Sequence, residues 1–335
     1  MVNNKQNLNN ENEKTARKNL LRSSEEASGI KIEGYDFDRG VDYGKILESF
    51  SSTGFQASLF HKAVKTIKEM ISDDAFIYLG YTSNMVSSGL RDVFRWLVKN
   101  KKVNVIVTTA GGIEEDIIKC LGDFFLGNFK SPGVELREKG INRIGNIFVS
   151  NNRYVDFEKF FQPLLEDIYQ EQKKIGQIIT VSELIWKLGE KIGDERSIYY
   201  WAWKNKIRIY CPAILDGAIG DNIYFFKFKR PDFLIDITED IKWFNDTSLG
   251  LKKSGLIILG SGVVKHCILN ANMLRNGADY AVYINNSQEF DGSDAGALPD
   301  EAVSWGKISG KGESVKVFGD ATILFPLIVA ETFAK

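Results

Sequence analysis

Apolar residues in this chain fall into short runs rich in β-branched and aromatic side chains. Each run ends in Gly, Ser, Thr or Asp and is followed by a stretch with helical spacing. AFIYLGYTSN (75–84) leads into MVSSGLRDVFRWLVKN, and VNVIVTTAGG (103–112) leads into IEEDIIKCLGDFF. The same pattern predicts strands in IRIYCPAILDG (207–217), PDFLIDI (231–237), SGLIILGSG (254–262), DYAVYIN (279–285) and SVKVFGD (314–320). Strand, polar turn and helix in that order predict an α/β fold, a mostly parallel sheet with helices on both faces, because parallel strands need crossover connections. Ligands of such sheets bind outside the carboxyl ends of the strands. That rule singles out Thr82 to Asn84, Thr108 to Gly112, Asp216 to Asp221, Gly260 to Gly262, Asn285, Asn286 and Asp320. Residues 1–30 break the pattern. They are too polar to bury themselves and read as a mobile arm with one short helix around Thr15 to Arg22. No internal repeat or long linker divides the rest, so residues 31–335 are expected to form a single domain.

Composition narrows the function. The chain has 335 residues, 44% of them hydrophobic, enough to bury a substantial core. Lys and Arg total 43 against 44 Asp and Glu, so there is no global field to hold nucleic acid or an anionic membrane, and neither partner is expected. The longest apolar run, ILFPLIVA, is far short of the roughly 18 to 20 residues that span a bilayer. The first residues lack the apolar segment of a secretion signal, which makes a cytoplasmic setting the default expectation. Cys120, Cys211 and Cys267 have no CxxC spacing and coexist with only His61 and His266, which argues against a disulfide framework or a metal site.

Charge here must act locally, and EFDGSDAGALPDEAVSWGK (289–307) shows where. Five carboxylates precede Lys307, interleaved with Phe290, Leu298, Val303 and Trp305, which a wholly solvated loop would have little reason to carry. A calcium loop starting at Asp291 would put Ala295 and Ala302 where oxygen ligands are required. Paired carboxylates could serve a glycosidase, but that reading leaves the lysine unused. The arrangement suits capture of a flexible organic polycation: carboxylates pair with separated ammonium groups while Trp305 packs on the methylene stem. Lys307 then stands as a nucleophile. Only a neutral amine attacks; the carboxylates favour its charged form, whereas burial beside Trp305 and a second bound cation favour the neutral one. A bound polycation that cancels the acids would therefore help activate it.

Other motifs carry two readings. TTAGGIEED (108–116) is either a phosphate-holding turn at a helix N-terminus or a glycine turn before a capped helix. GSGVVKH (260–266) starts like a dinucleotide fingerprint but has Lys265 where the third glycine belongs. Ser83 and Asn84 can be helix caps. His266, just past a strand end, is a candidate proton carrier, whereas His61 reads as structural.

HCILNANMLRNGADYAVYINNSQEFDGSDAGALPDEAVSWGKI, with LGYTSN, TTAGGIEEDIIKC, KGINRIGN, LDGAIGD and FPLIVAETFAK, closely resembles deoxyhypusine synthase from about Gly34 to Lys335. The resemblance implies a Rossmann-like, doubly wound fold and an NAD-dependent transferase. Such an enzyme dehydrogenates spermidine, releases 1,3-diaminopropane and holds the remaining aminobutyl group as an imine on its own lysine. It then passes the group to one lysine of the precursor of eukaryotic translation initiation factor 5A and reduces the new imine. Motif matching puts the family's lysine on Lys307. It implies a polyamine site of Glu114, Glu115, Asp221, His266, Gly292, Ser293, Asp294, Glu301, Trp305 and Lys307, with His266 accepting a proton. It implies cofactor contacts from Ser83, Asn84, Met85, Val86, Ser87, Thr109, Ala110, Gly111, Glu115, Asp216, Ser261, Asn286, Ser287, Asp291, Asp320 and Ala321. The acids among these suit ribose hydroxyls and would repel a 2′-phosphate, which favours NAD over NADP. Ser261, Ala295 and Cys267 depart from the family pattern. The resemblance further implies a homotetramer of two tight dimers, active sites across the dimer interface, and an arm able to plug a site entrance. A sister activity, in which putrescine accepts the aminobutyl group, stays open on the residues alone; a role as a regulatory paralogue, which would be expected to lose the nucleophile or its acids, is disfavoured because Lys307, Glu301 and Asp294 are all present.

Overall fold

The computed structural model describes residues 2–335, with side chains from Leu8 onward; Met1 lies outside the described residues. Its strands are β1 (Phe76–Tyr81), β2 (Val105–Val107), β3 (Phe125–Leu126), β4 (Ile141–Ile144), β5 (Ile147–Ser150), β6 (Ile179–Thr180), β7 (Arg208–Tyr210), β8 (Ile235–Asp236), β9 (Ser254–Leu259), β10 (Ala278–Asn285) and β11 (Ile308–Phe318). Six form the central sheet in the order β11-β10-β9-β1-β2-β7, every pairing parallel. This is the predicted architecture, a Rossmann-like doubly wound sheet.

The reason is visible along β9. All six of its residues are buried, as expected of a strand covered on both faces. Side chains alternate between two cores. Ile77, Leu79 and Tyr81 enter the larger one, under the helices Phe55–Ser72, Leu90–Lys99 and Ala321–Glu331. Tyr78, Leu256, Ile258 and Tyr283 enter the other, under Thr238–Leu249, Val263–Met273 and Pro299–Ser304. One buried ion pair ties the first layer together. Asp116 accepts from Arg91 Nε at 2.6 Å, from Ser197 Oγ at 2.5 Å and from the Ile198 N–H at 3.0 Å.

Three regions differ from expectation. The arm's helix spans Val2–Leu20 rather than one short segment, and every described side chain before Tyr35 is exposed. From Leu8 on it is polar apart from Leu8, Ala16 and Leu20 and carries a Glu13–Arg17 pair one turn apart, which supports a helix with little apolar surface to bury. PDFLIDI contributes only Ile235–Asp236, paired with Ile179–Thr180 outside the central sheet, because Pro231 and Asp232 still form the turn after the helix Ala218–Lys229. An antiparallel three-stranded unit, β3-β5-β4, is inserted after the helix Ala110–Leu121 and was not anticipated. Its strands are two to four residues long, too short to register as a pattern.

Candidate functional site

The turns after β1 and β2 touch. A Cβ on Gly111 would stand 2.7 Å from Ser83 Cβ, so only glycine lets the two loops close together. Beside them the hydroxyls of Thr108 and Thr109 are buried without a partner among the described residues. One turn further along the helix Ala110–Leu121, Glu114 and Glu115 are both buried, at 5% and 8% exposure. Ser87 Oγ donates to Glu115 Oε2, and the Ile219 N–H donates to Glu114 Oε2 at 2.7 Å. Gly217 makes room for that second carboxylate, since a Cβ there would lie 2.7 Å from it. Burial pushes Glu115 up to about 7, against the Ser87 bond, which favours its ionised form. Burial also raises Glu114, opposed by the N–H groups of Ala218 and Ile219. Asp216 and Asp221 lie beside them, exposed.

The segment carrying Met85, Val86 and Ser87 is held from behind. Lys119 Nζ donates to the carbonyls of Val86, Ser87 and Ser88, each at 3.0 Å. Further along the same edge, Asn285 Nδ2 donates to the Gly260 carbonyl at 3.2 Å, and the Ser287 N–H donates to Asn285 Oδ1 at 3.0 Å. Ser261 is half-buried and Asn286 exposed. Asp320 caps the helix that begins at Ala321, its Oδ1 accepting from Thr322 N–H at 2.7 Å and Thr322 Oγ1 at 2.6 Å. The residues expected to hold a cofactor thus run along the carboxyl ends of the sheet. Unpartnered hydroxyls and a carboxylate poised between two protonation states fit a ligand rich in hydroxyl groups.

The crossover from β10 to β11 carries the remaining residues. Lys307 is buried, at 9% exposure, and its Nζ lies 5.3 Å from the Trp305 ring centre. Its carbonyl accepts from the Ala278 N–H at 3.0 Å, so its backbone sits at the amino end of β10, not at the carboxyl edge. Glu289, Asp291, Gly292, Ser293, Asp300 and Glu301 are exposed and Asp294 is half-buried. Asp294 Oδ2 is shielded from solvent without a partner among the described residues. Among the described residues no ion pair engages any of the five carboxylates. Phe290 and Trp305 do not pack into the chain's own core, being 85% and 64% exposed. His266 sits on the exposed side of the helix Val263–Met273, 3.2 Å from Asn270 Nδ2.

The predicted site therefore comes in two parts. Glu114, Glu115, Asp216 and Asp221 cluster after β2 and β7; Asp294, Glu301, Trp305 and Lys307 cluster on the β10–β11 crossover. Among the described residues no side-chain hydrogen bond or ion pair joins the two. Both parts match one known family: the profile of deoxyhypusine synthase covers residues 45–332. The chain belongs to the deoxyhypusine synthase family.

Relatives agree in degree. The deoxyhypusine synthase of Senecio vernalis is 50% identical over 343 aligned residues, covering 94% of this chain and 92% of that one. That of Musa acuminata is 50% identical over 339, covering 93% and 90%. A solved structure described as a deoxyhypusine synthase, from Entamoeba histolytica, superposes with a TM-score of 0.68 at 34% identity, over 90% of this chain and 97% of that one. Membership makes the chain an enzyme of the aminobutyltransferase type.

Sequence reasoning missed the cations that support the site, Lys119, Lys265 and Lys316. A signal existed for one of them. Lys265 interrupts VVKHCIL three residues before Ile268 and four before Leu269, on the face the helical apolar period buries.

Proposed function

We propose that this enzyme transfers the 4-aminobutyl group of spermidine to one lysine of the precursor of eukaryotic translation initiation factor 5A, through an imine on Lys307. NAD, when bound, supplies a hydride acceptor at the first step and a hydride donor at the last. Ser83 to Ser87, Thr109 to Gly111, Glu115, Asp216, Ser261, Asn286, Ser287, Asp291, Asp320 and Ala321 would hold it. The orphaned hydroxyl of Thr109 and the buried Glu115 support that assignment, since both lack a full set of partners among the described residues.

The chain's own residues account for the rest. Asp294, Glu301, Glu114 and Asp221 pair with the ammonium groups of spermidine, the backbone of Gly292 and Ser293 lines the loop, and Trp305 covers the methylene stem. His266 takes the proton released when the secondary amine is dehydrogenated. The Lys307 amine adds to the resulting C=N carbon, forming one C–N bond; the bond to 1,3-diaminopropane then breaks and the diamine leaves. The acceptor lysine displaces Lys307 by the same exchange, and reduction of the new C=N makes the product permanent. The observation that carries this reading is a buried lysine beside a tryptophan, on the same crossover as five carboxylates that no ion pair engages among the described residues.

Two separated half-sites support the further reading that a second copy completes each site, in a homotetramer built from two dimers. Tyr224, Phe225 and Phe228, all more than half exposed, form an aromatic ridge on the helix that carries Asp221, a surface suited to such a contact. Residues 31–335 would act as one catalytic domain, with the arm outside it, in the cytoplasm.

Borohydride trapping tests the central step. After incubation with labelled spermidine and NAD, reduction should leave a butylamine adduct on Lys307, and Lys307→Ala should lose it. An adduct on another residue, or equal trapping by the variant, overturns the assignment. Offering putrescine beside the precursor protein separates the proposed activity from its sister reaction.

A further inference from the structure

Two lysines lie buried beneath the acidic loop without a carboxylate partner. Lys265 is 1% exposed, and its Nζ donates to the backbone carbonyls of Asp294 at 2.5 Å and Ala297 at 2.9 Å. Lys316 is 9% exposed, and its Nζ donates to the carbonyls of Ser287 at 2.6 Å and Gly296 at 2.8 Å. Tyr283 stands between them. It pairs with Lys316 across β10 and β11, and Lys265 Nζ lies 4.8 Å above its ring. Neither lysine makes an ion pair among the described residues.

A buried cation normally takes a carboxylate partner, because leaving water costs several kcal/mol per ion. Glu289, Asp291 and Asp294 lie in this loop and Asp300 and Glu301 in the short helix that follows it, yet these lysines use backbone carbonyls instead. The choice has a functional logic. A lysine paired with Asp294 or Glu301 would occupy the groups a polycation needs; a lysine bonded to the backbone fixes the loop and leaves the acids free. The positive charge beneath also limits the repulsion among five clustered carboxylates, which would otherwise open the loop.

We propose that Lys265 and Lys316 are positioning residues for the reaction, holding the Ser287–Ala297 backbone from beneath so that its carboxylates stand unpaired for an organic polycation. The inference rests on the reading of this loop as the polyamine site. The two anchors divide the work. Lys265 holds the Asp294 end. Lys316 ties that end, at Gly296, to Ser287, which is also assigned to the cofactor.

Steady-state kinetics and NAD titration of the full-length enzyme separate the two roles. Lys265→Met, losing two charge-assisted hydrogen bonds, is expected to raise the KM for spermidine about 30-fold while NAD affinity stays within about threefold. Lys265→Arg, which keeps the charge and the donors, should recover part of the loss. Lys316→Met should weaken both ligands. Amide exchange at residues 287–297 should quicken in both Met variants while β9 stays protected. Equal loss of NAD and spermidine in Lys265→Met, or a spermidine KM that does not move, overturns the proposal. Absence of any spermidine turnover by the unsubstituted enzyme would instead sink the reading of the site itself.

Discussion

The turns after β1, β2 and β7 and the crossover between β10 and β11 both carry acids, and they treat them in opposite ways. In the first region Glu114 and Glu115 are buried and bonded to Ile219 N–H and Ser87 Oγ, and their neighbour Asp116 is locked to Arg91. In the second no carboxylate takes part in an ion pair among the described residues, and the loop is pinned through its backbone. Acids already committed to the protein can shape a rigid cradle for a ligand of fixed form. Acids left free can follow a flexible cation. The difference separates fixed acids, Glu115 of the cofactor cradle and Glu114 where the polyamine channel adjoins it, from the free acids of the β10–β11 crossover, and substitutions on each side should behave differently.

The largest effect is expected where the first region is most tightly tied. Arg91→Met would leave Asp116 buried without its cation, a change that costs about 3 to 5 kcal/mol in stability. A shift in urea midpoint at unchanged slope would measure it. Because Asp116 also holds Ser197 and the start of the helix Ile198–Asn205, the loss should be global, with spermidine and NAD binding falling together. A variant that keeps its midpoint would show that the ion pair does not hold this layer.

Asp294→Asn should behave in the reverse way. Its Oδ2 has no partner to lose, so stability should change little, yet a charged hydrogen bond to the ligand is worth about 1.5 to 3 kcal/mol. The KM for spermidine should rise about 10- to 100-fold with NAD affinity nearly intact. Equal losses of both ligands would erase the contrast between the regions.

This contrast was half legible in the sequence. β9 and β10 are continuous apolar runs, so the parallel sheet and its carboxyl-edge turns could be read from period and punctuation. Lys307 could be singled out because five acids before one lysine is an unusual local charge pattern. What could not be read was commitment. Glu115 and Asp294 look alike as letters, and only packing shows that one is bonded to Ser87 while the other is shielded without a partner. The interleaved Phe290 and Trp305 pointed to burial, but the loop is fastened by lysines from β11 and the helix Val263–Met273, which frees those rings to face outward. Long-range anchoring of this kind leaves no periodic trace. The two-residue strands went unseen for the opposite reason, being too short for any period to show.

Glu115 offers the finest distinction between the regions, because its protonation should be tied to the cofactor it is assigned to hold. Burial holds its folded value at about 7, above the unfolded carboxylate range. Between about pH 4.5 and 7 the folded chain therefore keeps a proton that the unfolded chain has given up. Without ligand, this residue's contribution to stability is greatest below that window, is lost by about 3 kcal/mol as pH rises through it, and is level above. Glu115→Gln should remove that slope, seen as a difference in melting behaviour between variant and parent that grows from pH 5 to 7. Cofactor binding has the opposite dependence. Ribose hydroxyls donate to the ionised carboxylate, so NAD affinity should rise about tenfold from pH 6 to pH 8 as ionisation goes from about a tenth to nine-tenths complete. Binding below pH 7 should release a proton, which calorimetry in buffers of different ionisation enthalpy can count. Glu115→Gln should bind NAD with no such pH dependence. If the parent's NAD affinity is flat across this range, Glu115 does not touch the cofactor, and the first region loses the titrating acid that sets it apart from the second.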